Sequence, residues 1–412
     1  MINYNSTNYR QKSLISNLLL VLTFFQAFCN QLLNYTLNNS IRYIHAASCY
    51  ILMFASIFSY IIMKTRKRKP FTFHTIELAI IGMVSYQFIV SAFYGRIDLK
   101  SIKDIMIWPT LFLVYYNLYD HIMWIEKAKD NSIIQIKALI NKRLCVLLFC
   151  LHVLMSYFLI RRYITEDLRA GGRIFPVYFS LTLFPLLLMH IKLKLSVCIL
   201  SFPLIVISIT STKRSLFLAV CAGLLLYSIS RIKKKSFPVL ICSIPIIAFV
   251  VIVVYNFFLN DALFDMVLRL GNVLKDGGSG RITLYRTIWN EYSSGSFAQQ
   301  IFGRGYHAVE SEAQAYNYVR LAHNDYLEAL FDYGLPGVIL LITFVMFLIM
   351  QVKRIKKIDH NLYSVGIFTL PSLLLLSAVS YLTVQSMIIN YLMIFYGIVV
   401  GGNHAWRRYN IL

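Results

Sequence analysis

The sequence predicts an all-α polytopic membrane protein, with about twelve transmembrane helices and one long external loop. Three observations predict it. Of 412 residues, 58% are hydrophobic and only 14% charged, against about 25% charged in an ordinary soluble domain. The apolar residues fall in runs near 20 residues long, enough to cross ~30 Å of hydrocarbon as helix. The charge that remains is mostly basic, 40 Lys and Arg against 18 acids, and sits in short blocks between those runs. That placement is the pattern that orients helices in a bilayer rather than a nucleic-acid-binding face.

The runs lie near 13–33, 41–63, 73–94, 104–124, 144–162, 174–191, 195–210, 213–230, 236–259, 335–352, 361–381 and 383–402. The chain therefore divides into helices one to nine over 1–259, a polar loop over 260–334, and helices ten to twelve over 335–412. The pair 195–210 and 213–230 is short, with only Ser211–Thr212 between. The first run is long and no small-x-small cleavage site follows it, so it is expected to stay as an anchor. With the N-terminus in the cytoplasm, 24 of the 40 basic residues face inward and 10 lie in short outer segments. The positive-inside rule then puts both termini in the cytoplasm and the 260–334 loop outside. Residues 126–143 fit either a basic helix lying on the inner leaflet or a solvated linker.

Cys29, Cys49, Cys145, Cys150, Cys198, Cys221 and Cys242 lie in or beside apolar runs, without a CxxC pair. They read as small packing residues. Pro109, Pro185, Pro203, Pro245 and Pro371 interrupt runs and should kink helices around a cavity. Corresponding proline-broken helices also occur in transporters, but the two halves show no internal repeat.

Chemistry points to the outer face. The positive-inside rule disfavours cations in short outer segments, yet Arg161, Arg162, Arg169, Arg173, Lys213 and Arg214 lie there. The long loop adds Arg281, Arg286, Arg304 and Arg320. Guanidinium groups bind phosphate oxygens through a planar fork of donors, so an anionic ligand at the outer leaflet would explain them. Snorkelling to lipid headgroups is the alternative, chiefly for Arg161 and Arg162, which abut a span. Arg281 follows Gly277-Gly278-Ser279-Gly280, where the backbone can approach a ligand closely. Arg214 opens a span among Ser211, Thr212 and Ser215, which suits an oxyanion cradle or a plain polar cap. His323 precedes candidate caps Asn324 and Asp325 and a short amphipathic helix that stops at Gly334 before Pro336. A helix N-terminus favours neutral imidazole, which can accept a proton; a surface histidine beside a cap fits the spacing too. Glu310, Glu312, Asp325, Glu328 and Asp332 are scattered along the loop without metal-ligand spacing, and Gly303-Arg304-Gly305 is too short for a nucleotide site.

Three motifs carry a resemblance: Ser211-Thr212-Lys213-Arg214-Ser215 at the head of a span, Ser279-Gly280-Arg281 near the loop's start, and the loop's end. That end runs Gly303-Arg304-Gly305-Tyr306, then His323-Asn324-Asp325-Tyr326-Leu327-Glu328, then Gly334-Leu335-Pro336-Gly337. In this order the motifs resemble the O-antigen ligase/polymerase superfamily, over roughly 200–350 by motif. The departure is Lys213, where the family often has Ser or Thr directly before the arginine.

The resemblance implies a bacterial inner-membrane enzyme, folded like the polytopic lipid-linked glycosyltransferases and needing neither metal nor other cofactor. The implied partners are a glycan donor on undecaprenyl diphosphate, a glycan acceptor, the lipid bilayer and, in the same apparatus, a chain-length regulator and flippase; nucleic acid is not among them. It assigns Arg214 and Arg281 to the diphosphate and His323 to the acceptor hydroxyl. Arg173, Lys213, Arg304, Tyr306, Asn324 and Asp325 are the implied substrate contacts. The acceptor would be a new repeat unit in a polymerase, or lipid A-core in a ligase. A flippase for the same lipid and a non-catalytic assembly factor are the competing classes.

Overall fold

The computed structural model describes residues 3–36, 39–65, 73–127, 140–166, 171–191, 194–211, 213–231, 281–313, 322–380 and 386–410. Among them the chain is all-helical. The first eight helices are α1 (Asn3–Thr36), α2 (Asn39–Thr65), α3 (Thr75–Phe93), α4 (Leu99–Lys127), α5 (Lys142–Glu166), α6 (Gly171–Leu188), α7 (Lys194–Thr210) and α8 (Arg214–Arg231). Three short loop helices follow, α9 (Arg281–Ser294), α10 (Phe297–Phe302) and α11 (Ala308–Ala313). The chain closes with α12 (Asp325–Ile355), α13 (His360–Val379) and α14 (Ser386–Asn410).

Seven of the described helices are long and apolar enough to cross a membrane, and three shorter apolar segments lie in α6, α7 and α8. The protein is an integral, multi-pass membrane protein. Helices α1 to α8 and α12 to α14 fall on eleven of the twelve expected runs. The run 236–259 and most of the 126–143 segment lie outside the described residues.

The packing explains why α4, though long, is more polar than a lipid-facing span. Every residue from Ile107 to Asp120 is buried, so α4 is sheathed by protein. Its closest neighbour is α14, buried from Ile388 to Asn403. The two backbones approach at Gly397 and Gly401, four residues apart. A Cβ would stand 2.7 Å from the Phe112 carbonyl at the first and 2.5 Å from the Tyr116 carbonyl at the second. This is close small-residue packing of the kind membrane helices use when no hydrophobic driving force separates protein from lipid.

Buried polar side chains in this core find each other across helices. His152 bridges Gln31 (3.2 Å) and the Tyr391 hydroxyl (3.0 Å). Thr369 meets Tyr396 at 2.8 Å, and Ser56 meets Thr110 at 2.9 Å. Such bonds replace the water these groups lack in hydrocarbon. Cys29, Cys49 and Cys145 are buried free thiols, in keeping with a packing role.

The loop helices sit against the start of α12, and α12 itself is broken there. Gly334 has φ 64 and ψ −162, so 325–333 forms a separate short helix ahead of the long apolar one. Gly303 (φ 83) lies against it. A Cβ on Gly334 would overlap the Ile301 carbonyl, and one on Gly303 would overlap the Asp332 carbonyl. Amides of Arg304 and Gly305 donate to the Asp332 carbonyl at 3.0 and 2.7 Å. The loop is thus joined to α12 main chain to main chain.

Candidate active site

His323 stands in a left-handed conformation (φ 53) just ahead of α12. Asn324 is the cap: its side chain accepts from the amides of Tyr326 and Leu327, each at 3.0 Å. Cap residues with a short side-chain acceptor satisfy the orphan amides of a helix start. On the other side, the Ala322 amide donates to Glu328 at 2.7 Å, and the Tyr285 hydroxyl donates to the His323 carbonyl at 3.1 Å. The turn carrying His323 is therefore held by α9 and by the first turn of α12.

Two cations act electrostatically on this imidazole. Burial lowers its pKa first, and the positive charges of Lys213 and Arg281 lower it further, to about 4. The ring is accordingly neutral at physiological pH. Lys213 directly precedes α8, and its carbonyl accepts from the amides of Leu216 and Phe217, both at 3.1 Å. Its ammonium lies 5.6 Å from the centroid of the Tyr178 ring. Arg281 opens α9 and acts electrostatically on Tyr178 as well as on Tyr285. Tyr178, fully buried in α6, bonds Ser380 at the end of α13 at 2.5 Å. Four separate parts of the chain thus converge on one place: α6, Lys213 ahead of α8, the start of α9 and the turn before α12. Arg214 begins α8 beside Lys213; its side chain, like that of Arg173, lies outside the described residues.

A second group of residues flanks the same turn. Asp325, Glu328 and Asp332 recur at three and four residues, on one face of α12. With Asp104 and Trp108 of α4 they line a cavity that also takes in Tyr306. Glu328 is 2% exposed, and its Oε1 has no hydrogen-bond partner among the described residues. The Asp332 carboxylate accepts from the amides of His307 and Ala308, each at 2.9 Å, and so pins the entry to α11. The Tyr306 hydroxyl donates to Asp104 at 2.6 Å, and its ring stacks on His307 with centroids 4.1 Å apart. Burial and the Asp104 charge push the Tyr306 phenol far above its usual range, so it stays a donor.

Arg304 is placed differently from the substrate-contact expectation. It is 9% exposed, paired with Glu312, donates to the Glu291 carbonyl at 2.8 Å, and lies 4.5 Å over the Phe331 ring. Glu312 also pairs with Arg96 at 2.8 Å, from the turn between α3 and α4. Arg304 is a brace inside the loop, because internal acceptors and an aromatic face already occupy its guanidinium. The loop acids are likewise not scattered in space: Glu310 pairs with His307, Glu312 with two arginines, and the α12 acids share one cavity wall. The one-face spacing of 325, 328 and 332 was visible in the sequence; Tyr178 and Ser380 gave no signal there.

The stretch from α7 to the first part of α12 also has a recognisable pattern. Residues 198–342 match the family model described as O-antigen ligase. These residues form an O-antigen ligase domain. The O-antigen ligase domain contains Lys213, Arg281 and His323 together with the α12 acids, while Tyr178 and the α3–α4 wall come from the chain before it. Enzymes of this family transfer lipid-linked glycans. No curated protein matches the chain.

Proposed function

We propose that the protein polymerises oligosaccharide repeat units carried on undecaprenyl diphosphate, at the periplasmic face of a bacterial inner membrane. The observation that carries this reading is the meeting of His323 with two cations, Lys213 and Arg281, at one end of the helix bundle. The topology that goes with it has twelve spans, cytoplasmic termini and the 260–334 loop outside.

In the proposed step the acceptor hydroxyl gives its proton to the His323 imidazole. The acceptor oxygen bonds the anomeric carbon as that carbon's bond to the diphosphate oxygen breaks, with inversion. The electron pair leaves on undecaprenyl diphosphate, where Lys213, Arg281 and Arg214 offset the charge. Preorganised cations aimed at a leaving group act most strongly where water is excluded. The donor's own charge then helps the base. A bound diphosphate offsets the two cations that depress the imidazole, so His323 becomes more basic when substrate is present.

Charge also sorts the two substrates. Asp104, Asp325, Glu328 and Asp332 offer a phosphate no positive charge, so the diphosphate belongs on the Lys213 and Arg281 side. Carboxylates and aromatic rings suit sugar hydroxyls and sugar faces, which gives the acceptor glycan the cavity on the other side. Asn324 shapes the turn and Asp325 lines the cavity; Tyr306 offers a buried hydroxyl there.

The family description favours a second reading, in which the acceptor is lipid A-core and the enzyme is a ligase. A clean deletion followed by gel analysis of surface glycans tests both. Core plus a single repeat unit means polymerase. Bare core, with polymer left on its lipid carrier, means ligase. Unchanged glycans would overturn the proposal.

A further inference from the structure

At the opposite end of the bundle lies a cluster that takes no part in the chemistry above. His74 is the residue capping α3, Asp120 lies in α4 and His404 in α14. Asp104, on the cavity wall, and Asp120 are sixteen residues apart on α4, which is about 24 Å of helix. The cluster therefore cannot touch a sugar held near His323.

Its chemistry is that of a ligand set. One carboxylate oxygen of Asp120 and one ring nitrogen from each histidine all lie within 4.8 Å of one another. His404 Nδ1 stands 2.7 Å from Asp120 Oδ1. The two imidazoles stack with centroids 4.4 Å apart at an interplanar angle of 29°. Asp120 is 4% exposed.

The surroundings fix the donors in the way ligating histidines are usually fixed. The Tyr116 hydroxyl bonds His74 Nδ1, which orients the ring. Glu77 accepts from the His74 amide at 2.8 Å, from Lys64 at 2.5 Å and from Asn117 at 2.8 Å. Glu77 is thus neutralised by Lys64 and holds the backbone of His74 in place.

We infer that His74, Asp120 and His404 bind one divalent transition metal of the zinc class, which ties the ends of α3, α4 and α14 together. Two nitrogens and one oxygen suit zinc, and its cobalt(II) and nickel(II) relatives, over magnesium or calcium, which prefer all-oxygen sites. Water completes the coordination. The site is structural: it clamps the helix ends on the face that the proposed topology assigns to the cytoplasm.

The test uses the full-length protein in detergent, purified without a polyhistidine tag, stripped with a chelator, incubated with zinc chloride and desalted. The expected result is one zinc retained per chain, a higher Tm with zinc than without, and visible ligand-field bands when cobalt(II) replaces zinc. His404→Ala, His74→Gln and Asp120→Asn should each weaken zinc binding at least ~10-fold and abolish the zinc-dependent rise in Tm. Tyr116→Phe keeps the ligands and should weaken binding less. If a variant fails to fold, Tyr116→Phe and the cobalt spectrum of the natural protein still decide. Failure of the natural protein to retain zinc, or equal retention by the variants, overturns the inference. A cluster that only changes Tm with pH and ignores zinc overturns it as well, leaving a hydrogen-bonded histidine pair. None of these outcomes depends on glycan transfer.

Discussion

The Tyr285 hydroxyl donates to the carbonyl of His323 at 3.1 Å. Tyr285 is one turn along α9 from Arg281, so a single hydrogen bond sets the first cation relative to the proposed base. Burial raises the Tyr285 phenol above its ordinary value, which keeps the donor proton in place. Tyr285→Phe should leave protein levels unchanged and reduce kcat more than the KM for either substrate. The bond is neutral and partly buried, so a loss of about 1 kcal/mol, near tenfold at most, is expected. A steady-state comparison on purified protein checks it.

His323→Ala should reduce transfer by about 10²–10⁴-fold, the usual contribution of a general base. Arg281→Ala should be comparably severe, and Arg281→Lys should restore it only in part, because lysine lacks the planar fork. Surface-glycan gels at matched protein levels measure this. A normal ladder from His323→Ala would remove the imidazole from the mechanism.

The pH profile has a defined sign. His323 must be neutral to accept a proton, and its pKa in the free protein is about 4. A plot of kcat/KM should therefore stay level from neutral pH downward and fall only near pH 4. Removing a neighbouring positive charge raises the imidazole pKa. Lys213→Met should move the acid limb toward neutrality, by less than the full distance to the ordinary value of 6.5, since burial is the larger cause.

Arg304→Lys should destabilise the loop and leave the pH profile unmoved. The guanidinium serves Glu312, the Glu291 carbonyl and the Phe331 face at once, and an ammonium cannot reach all three. A loss of about 1–3 kcal/mol is expected. Limited proteolysis of the loop and a thermal melt report it.

Gly401→Val should disturb the helix core. The Tyr116 carbonyl stands 2.5 Å from where the Cβ would be, so α14 must move off α4. Overpacking of this kind costs about 1–3 kcal/mol. Lower yield and Tm in detergent are the readouts, with the loop's proteolysis pattern unchanged.

Most of the helix layout was legible because the bilayer demands long apolar runs, and such runs can be counted. Two features resisted that reading for physical reasons. The polarity of α4 departs from a lipid-facing span because its neighbours enclose it, and enclosure is a tertiary fact. The cluster at the far end of the bundle joins His74, Asp120 and His404 across nearly the whole chain, far beyond any motif window. At the candidate site, local grammar placed His323 before its cap and Arg281 at the start of α9. It gave no sign of Arg304's internal partners, since a Gly-Arg-Gly string looks alike whether its arginine faces a ligand or a glutamate. It took up Asp325 but read Glu328 and Asp332 as scattered, although their spacing from Asp325 marks one helical face.

The joint between Gly303 and Gly334 is built mainly from peptide groups, with the Tyr86 hydroxyl donating to the Tyr333 carbonyl at 2.8 Å. Apart from Tyr86, little about it depends on which side chains surround it, provided the two glycines stay. The lining of the neighbouring chamber can then drift from lineage to lineage without unseating the segment that carries the imidazole. Substitutions that refit the proposed acceptor chamber to another sugar should therefore leave this joint in place.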